Sequence, residues 1–243
     1  MKNNYIHFFI ILIVLIAAFF TINGSSESRD KGKSSVMPVI MKATFSGGCF
    51  WCMEPPFEKL PGVSKVISGY TGGKKENPSY KEVATGLTNH AEAIEIHYDP
   101  SKISYNDLLE VLWRNIDPTD GSGQFVDRGK QYRPAIFYHN KDQKKLAEKS
   151  RDRLEKSKRF KNKIETTIIK ANTFYAAEEY HQDFYKKSTV RYKIYRVGSG
   201  RDQFLKKYWG DNLEYKVTKI KKKNNSESKE SLNTKFIKPD RKS

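Results

Sequence analysis

"KATFSGGCFWCMEPPF", residues 42–57, reads as a short strand that runs through Gly47 and Gly48 into the mouth of a helix. The glycine pair lets the chain turn sharply before Cys49. Pro55 and Pro56 carry no N–H and are tolerated in the first turn of a helix, so a helix is predicted from about Met53 to about Leu60. Cys49 and Cys52, the 2 cysteines of the chain, stand at its mouth. Free N–H groups and the positive end of the helix dipole favour a thiolate there. Thiols this close cannot staple distant parts of a fold. They can close a small reducible loop, or one can attack while the other resolves. Half a zinc site is the poorer reading, because two more ligands are needed and the chain offers only 5 scattered histidines.

Further along, "GVSKVISGYTGG" (62–73) is a second strand ending on glycines, and "NPSY" (77–80) is turn chemistry. "HAEAIEIHYDP" (90–100) alternates: Glu92, Ile94, Ile96 and Tyr98 share one face, Ala91, Ala93, Glu95 and His97 the other. Ser104 caps a helix with Asp107 in its first turn and Tyr105, Leu108, Leu109, Leu112 and Ile116 at helical spacing. Residues 117–132 read as a long loop, 134–138 as a strand, Asp142 to Arg159 as a charged surface helix, 164–169 as a last strand, and Thr173 to Lys187 as an aromatic-rich helix. Strands and helices interleave with hairpin-like pairs, which implies an α+β fold, a two-layer α/β sandwich.

The ends differ in kind from this middle. Lys2 precedes the apolar run Tyr5 to Ile22, and the small residues Gly24, Ser25 and Ser26 follow. This pattern is a signal peptide or an N-terminal membrane anchor over residues 1–26. Arg29, Lys31 and Lys33 on its far side argue mildly against export. The expectation is still an exported protein: periplasmic, secreted or membrane-anchored through residues 5–22. Residues 27–41 read as a linker and 42–213 as the working domain, taken as a monomer. From Lys216 to Ser243, ten Lys or Arg face Glu227, Glu230 and Asp240. Residues 214–243 are therefore expected to be a basic tail too polar to order itself. No nucleic-acid partner is expected, despite a formal net charge of +17.

Glu92 is the informative oddity. Its strand face is apolar, so its carboxyl is expected to be desolvated and to hold its proton near neutral pH. It is then either a proton donor or a carboxyl satisfied by a backbone or tyrosine partner. His90, His97 and His181 read as hydrogen-bonded structural groups. Trp113, Phe174, Tyr175, Tyr180, Phe184 and Tyr185 read as core, and Gly198 to Gly210 as packing only.

"GCFW", "LPGV", "GYTGG", "NPSY", "HAEA", "YDP", "IDPTD", "QYR" and "YHQ" occur in this order between about Lys42 and Tyr185. Together they resemble the A-type peptide methionine sulfoxide reductases. The resemblance implies a ferredoxin-like βαβ core and thiol-dependent reduction of the S epimer of methionine sulfoxide in proteins and peptides. It implies that Cys49 is the nucleophile and that Phe50 and Trp51 wall in the substrate's methyl group. Glu92 is then the acid that protonates the sulfoxide oxygen, Tyr80 and Tyr132 supply hydroxyls to that oxygen, and Asp127 supports the site. Attack of Cys49 on the substrate sulfur releases methionine and leaves a sulfenic acid, which a nearby thiol condenses to a disulfide. No metal or organic cofactor is needed, and a thioredoxin-like reductant completes the cycle.

Three departures from the family pattern stand out. Asn89 occupies a position where glycine is usual, and Phe125–Val126 one where a Gly-Asn pair is common. No cysteine follows Cys52, whereas many members place a recycling cysteine near the carboxyl end. Recycling must use Cys52, which is within disulfide reach, or an outside thiol. The competing readings are a thioredoxin-like disulfide oxidoreductase using Cys49 and Cys52, and a basic surface-binding protein with incidental cysteines.

Overall fold

In the computed structural model, residues 39–217 are described. The leader at 1–26, the linker up to residue 38 and the tail beyond Val217 lie outside the described residues. The fold is a mixed sheet with helices. Strand β1 (Met41–Ser46) leads through helix α1 (Phe50–Glu58) to β2 (Val63–Thr71), and α2 (Tyr80–Ala84) precedes β3 (Ala91–Tyr98). Then come α3 (Tyr105–Trp113), the short pair β4 (Gly123–Gln124) and β5 (Asp127–Arg128), β6 (Ala135–Tyr138), α4 (Lys141–Lys156) and β7 (Thr167–Lys170). The chain continues through β8 (Tyr175–Ala176), α5 (Phe184–Lys187), α6 (Thr189–Gly198) and α7 (Arg201–Trp209).

The six-stranded sheet runs β7-β6-β1-β3-β2-β8, antiparallel except for the parallel pair β6 and β7. Strand β3 lies between β1 and β2, and β1 lies between β3 and β6. The units β1–α1–β2 and β3–α3–β6 are thus two split βαβ crossovers, the ferredoxin-like core expected from the sequence. Register pairs Phe45 with Ile94, and Tyr70 with Glu92. Side chains two apart share a face, so Phe45, Tyr70, Ile94 and Ile96 join Met53, Phe57, Leu108, Leu112 and Ala147 in one core between sheet and helices. The opposite sheet face carries the small residues Ala91 and Ala135 with Phe137.

The cap of α3 is as expected. Ser104 Oγ accepts from the Asp107 N–H at 3.1 Å while Asp107 Oδ2 accepts from the Ser104 N–H at 2.9 Å. Three expectations change. Helix α1 begins at Phe50, not near Met53, with Cys49 as its N-cap and both prolines inside it. The helix survives because the carbonyl that Pro56 leaves without a backbone donor, that of Cys52, accepts from Arg196 Nη1 at 3.2 Å. The stretch 117–132 is not a plain loop but holds the β4–β5 hairpin and a 3₁₀ turn at Lys130–Tyr132. Residues 173–187 are not one helix. They form β8, a 3₁₀ turn at Glu179–His181 and the short α5.

That last break follows from pairing. Tyr175 and Ala176 add to the edge of β2, and the Gln182 amide bonds both to the Ser68 N–H (2.9 Å) and to the Ser68 carbonyl (2.9 Å). Those bonds hold the backbone extended where helical spacing of aromatics pointed the other way. Past the expected domain end at 213, Tyr215 donates to Asp107 Oδ1 at 2.7 Å and Val217 packs against the core. Among the described residues no helix is long and apolar enough to cross a membrane.

Candidate active site

The turn into α1 is built on two crowded glycines. A Cβ on Gly47 would lie 2.4 Å from Ile116 Cγ2. Gly48 adopts φ +87°, and a Cβ there would lie 2.6 Å from Arg201 Nη2 and 2.7 Å from Gln124 Cβ. This turn delivers Cys49 to the helix mouth with 7% of its surface exposed. Strand β3 delivers Glu92 beside it. The Glu92 carboxyl is 2% exposed, and its Oε2 accepts from the Phe50 N–H at 3.1 Å.

Burial raises the Glu92 pKa to about 8, against a partial offset from the Phe50 N–H. The carboxyl therefore keeps its proton at neutral pH, as its apolar strand face implies. The Cys49 thiol behaves otherwise than helix polarity alone predicts. Its pKa is raised well above the usual value, first by burial, then by the nearby charges of Glu92, Cys52 and Asp127, with a hydrogen bond from Tyr195 acting the other way. Desolvation outweighs the helix dipole, whose effect is modest and confined to one turn. Cys49 rests as a thiol.

Each residue implied by the resemblance converges on this point. Trp51 stacks on Phe184 with ring centroids 3.7 Å apart and planes at 9°, donates from Nε1 to His181 Nδ1 at 3.1 Å, and meets Tyr195 edge-on. Phe50 is fully buried, its ring 5.0 Å from that of His181. Tyr80 opens α2, its N–H donating to Glu178 Oε1 at 2.8 Å and its ring 4.4 Å from His181. Burial and the nearby charges of Glu92 and Cys49 push its phenol up to about 12. Tyr132 closes the 3₁₀ turn, and its phenol is raised by burial and then by Glu92, Tyr80, Asp127 and Cys49. Asp127, at the start of β5, accepts from the Cys49 N–H and from the Tyr195 hydroxyl.

Sequence reasoning missed Tyr195, which touches both Cys49 and Asp127, and Glu178, which accepts from the Tyr70 hydroxyl at 2.8 Å as well as from the Tyr80 N–H. Nothing in the spacing around residue 195 singles it out. Phe184 is buried, as expected, and also stacks on Trp51, while His181 is hydrogen-bonded as expected. Two of the three departures from the family pattern also find a place. Asn89 adopts φ +59° and Phe125 φ +56°, left-handed positions that suit glycine; asparagine tolerates one well. Phe125 instead lays its ring 4.7 Å from the Arg201 guanidinium and 5.5 Å from the ring of Phe204.

A buried thiol at a helix mouth, with a carboxyl that keeps its proton beside it and a second thiol one turn on, is an arrangement suited to a thiol oxidoreductase. Residues 41–213 match the family model described as "Peptide methionine sulfoxide reductase". A peptide methionine sulfoxide reductase of Listeria monocytogenes is 60% identical over 168 residues, 69% of this chain and 95% of that protein. That of Bacillus subtilis is 56% identical over the same shares. Among solved structures, methionine sulfoxide reductase A of Corynebacterium diphtheriae is similar at TM-score 0.57 and 31% identity, over 64% of this chain and 78% of that one. Reduced Mxr1 of Saccharomyces cerevisiae is similar at TM-score 0.58 and 34% identity, over 62% and 86% respectively. The chain belongs to the peptide methionine sulfoxide reductase family, and it is an oxidoreductase that reduces methionine sulfoxide.

Proposed function

We propose that Cys49 is the nucleophile of this reduction, Glu92 its proton donor and Cys52 the thiol that resolves the product. The observation that carries the reading is the Glu92 carboxyl, 2% exposed, bound to the Phe50 N–H and protonated up to a pH of about 8. A sulfoxide oxygen leaves poorly unless it is protonated. Glu92 gives its proton to that oxygen as the Cys49 sulfur attacks the substrate sulfur, and it recovers the proton that Cys49 surrenders. Methionine departs, and the oxygen ends on Cys49 as a sulfenic acid.

Phe50 and Trp51 form the apolar wall for the S-methyl group, and the stack on Phe184 keeps the Trp51 ring in one orientation. The Tyr80 and Tyr132 hydroxyls bind the oxygen. Both phenols are held above their usual pKa, so they donate throughout the working range. Asp127 fixes the Cys49 backbone and the Tyr195 hydroxyl. The resemblance to the A-type reductases implies that the configuration accepted is the S epimer. The Cys49–Cys52 disulfide is then opened by an external dithiol of thioredoxin type.

The substrates are oxidised proteins and peptides, met outside the cytoplasm if the apolar stretch from Tyr5 to Ile22 is a leader or anchor. Fractionation of the producing cell tests that location; enzyme found only in the cytosol overturns it. The chemistry is tested with a peptide carrying both sulfoxide epimers and a thiol count after one turnover. The reading requires loss of the S epimer alone and of both thiols together. Equal consumption of both epimers contradicts it.

A further inference from the structure

His181 closes the 3₁₀ turn at Glu179–His181 and is 2% exposed. Its ring sits among four others, with centroids 5.0 Å from Phe50, 5.8 Å from Trp51, 4.4 Å from Tyr80 and 4.2 Å from Tyr180. One polar contact crosses this box. The Trp51 Nε1–H donates to His181 Nδ1 at 3.1 Å, whereas His181 Nε2 is buried with no partner among the described residues. An indole N–H donates and never accepts, so Nδ1 must carry a lone pair and the ring proton must sit on Nε2. The stack on Phe184 sets the plane of the Trp51 indole. It does not set which edge of the indole points which way; a directional hydrogen bond at Nε1 does.

We propose that His181 is the positioning residue of the methyl wall, fixing the Trp51 indole through the lone pair of Nδ1. The inference rests on the reading of Trp51 as that wall. The bond exists only while the imidazole is neutral. A protonated ring carries N–H at both nitrogens, and two N–H donors then face each other. The titratable groups packed around the ring are Tyr80 from α2, and Tyr180 and Glu178 from its own turn, while α1 contributes the untitratable Phe50 and Trp51. Arg191 and Tyr195 of α6 approach Trp51. The Glu178 carboxyl accepts from the Tyr70 hydroxyl and the Tyr80 N–H, not from His181. Burial lowers the His181 pKa, and the charge of Glu178 acts the other way. The neutral ring, and the Trp51 bond with it, therefore holds at neutral pH and is lost in acid.

The rival role is an aromatic filler of the box, for which the lone pair is immaterial. Single-turnover reduction of a methionine sulfoxide peptide by the full chain separates the two, read as rate against peptide concentration across pH. Wild type, His181→Asn, His181→Phe and Trp51→Ala are compared. Asparagine places its Oδ1 where Nδ1 stands and does not titrate, whereas phenylalanine keeps a ring and loses the acceptor. Loss of one hydrogen bond predicts a half-saturating peptide concentration about fivefold higher in His181→Phe, with the maximal rate less changed. His181→Asn should restore most of that loss. In wild type the half-saturating concentration should also climb as pH falls below about 6.5, and both His181 variants should lack that limb. The proposal is overturned by His181→Phe within about twofold of wild type, by His181→Asn failing like His181→Phe, or by an acid limb that persists in His181→Asn. Should a variant not fold, nitrogen spectra of wild type labelled with ¹⁵N-histidine decide. His181 should then carry its proton on Nε2 at neutral pH, and a proton on Nδ1 overturns the proposal. If Trp51→Ala takes the peptide as wild type does, the reading of Trp51 as the wall falls first, and this inference with it.

Discussion

Around Cys49 the leading ionisable neighbours are the carboxyl groups of Glu92 and Asp127, while around Cys52 they are the guanidinium groups of Arg201 and Arg196. Both thiols are buried, and burial raises both pKa values. They stand at one helix mouth, with the Cys52 N–H donating to the Cys49 carbonyl at 3.0 Å. Helix polarity therefore does not distinguish them; the sign of the surrounding charge does. Burial, with Asp127 adding to it, keeps Cys49 a thiol at neutral pH, and Glu92 adds its charge once it ionises above about 8. The guanidiniums ease ionisation of Cys52, against the opposing effect of burial and of Asp127 and Asp202.

The largest expected effect breaks the comparison at its nucleophile. Cys49→Ser should abolish reduction, whereas Cys52→Ser should still release methionine once and then stall as a sulfenic acid with a thioredoxin-type reductant. Undiminished steady-state turnover of Cys52→Ser with that reductant would show Cys49 being reduced directly. Next comes Glu92→Gln, which keeps the shape but cannot transfer a proton. General acid catalysis is worth about 10²–10⁴-fold, and the loss should fall on sulfenic acid formation with peptide binding little changed. Wild-type rate should decline as pH rises past about 8, where the carboxyl ionises, and that limb should vanish in Glu92→Gln. A single-turnover rate within about threefold of wild type would make Glu92 structural.

A smaller loss is expected for Tyr195→Phe, which removes the hydroxyl shared by Asp127 and the Cys49 thiol. The loss of one hydrogen bond to charged groups corresponds to about tenfold in the first turnover. No change would leave Asp127 as the sole support. A further effect is on stability. Glu92 is raised from 4.5 to about 8 on folding, so between those values the folded chain holds a proton that the unfolded chain has lost. Stability is full below the unfolded pKa and declines as pH rises through the folded one. Urea unfolding of wild type should show this slope, and Glu92→Gln should lack it; parallel curves would place the carboxyl in water.

Much of this was legible in the sequence because it follows from local rules. Alternation around Glu92 gave the central strand and the buried face of the acid, and Gly47–Gly48 gave the turn that presents Cys49. The rest depends on partners far along the chain. Helix α1 tolerates two internal prolines because Arg196, 144 positions after Cys52, caps the carbonyl that Pro56 leaves without a donor. The aromatics of 173–187 look helical, yet the edge of β2 draws Tyr175 and Ala176 into the sheet. Tyr195 and Arg201 reach the site only through the packing of α6 and α7, which no spacing within those helices encodes. The thiol state of Cys49 was misjudged because the sequence shows the helix mouth but not the depth of burial.

The contrast between the two thiols is tested most directly by titrating each alone. With isotope-labelled cysteine, the Cβ chemical shift of Cys49 is followed in Cys52→Ser and that of Cys52 in Cys49→Ser, each with and without Glu92→Gln. The account predicts that Cys49 titrates above Cys52, and that Glu92→Gln lowers the Cys49 midpoint while leaving that of Cys52 in place. A Cys49 midpoint below that of Cys52, or one indifferent to Glu92→Gln, would contradict it.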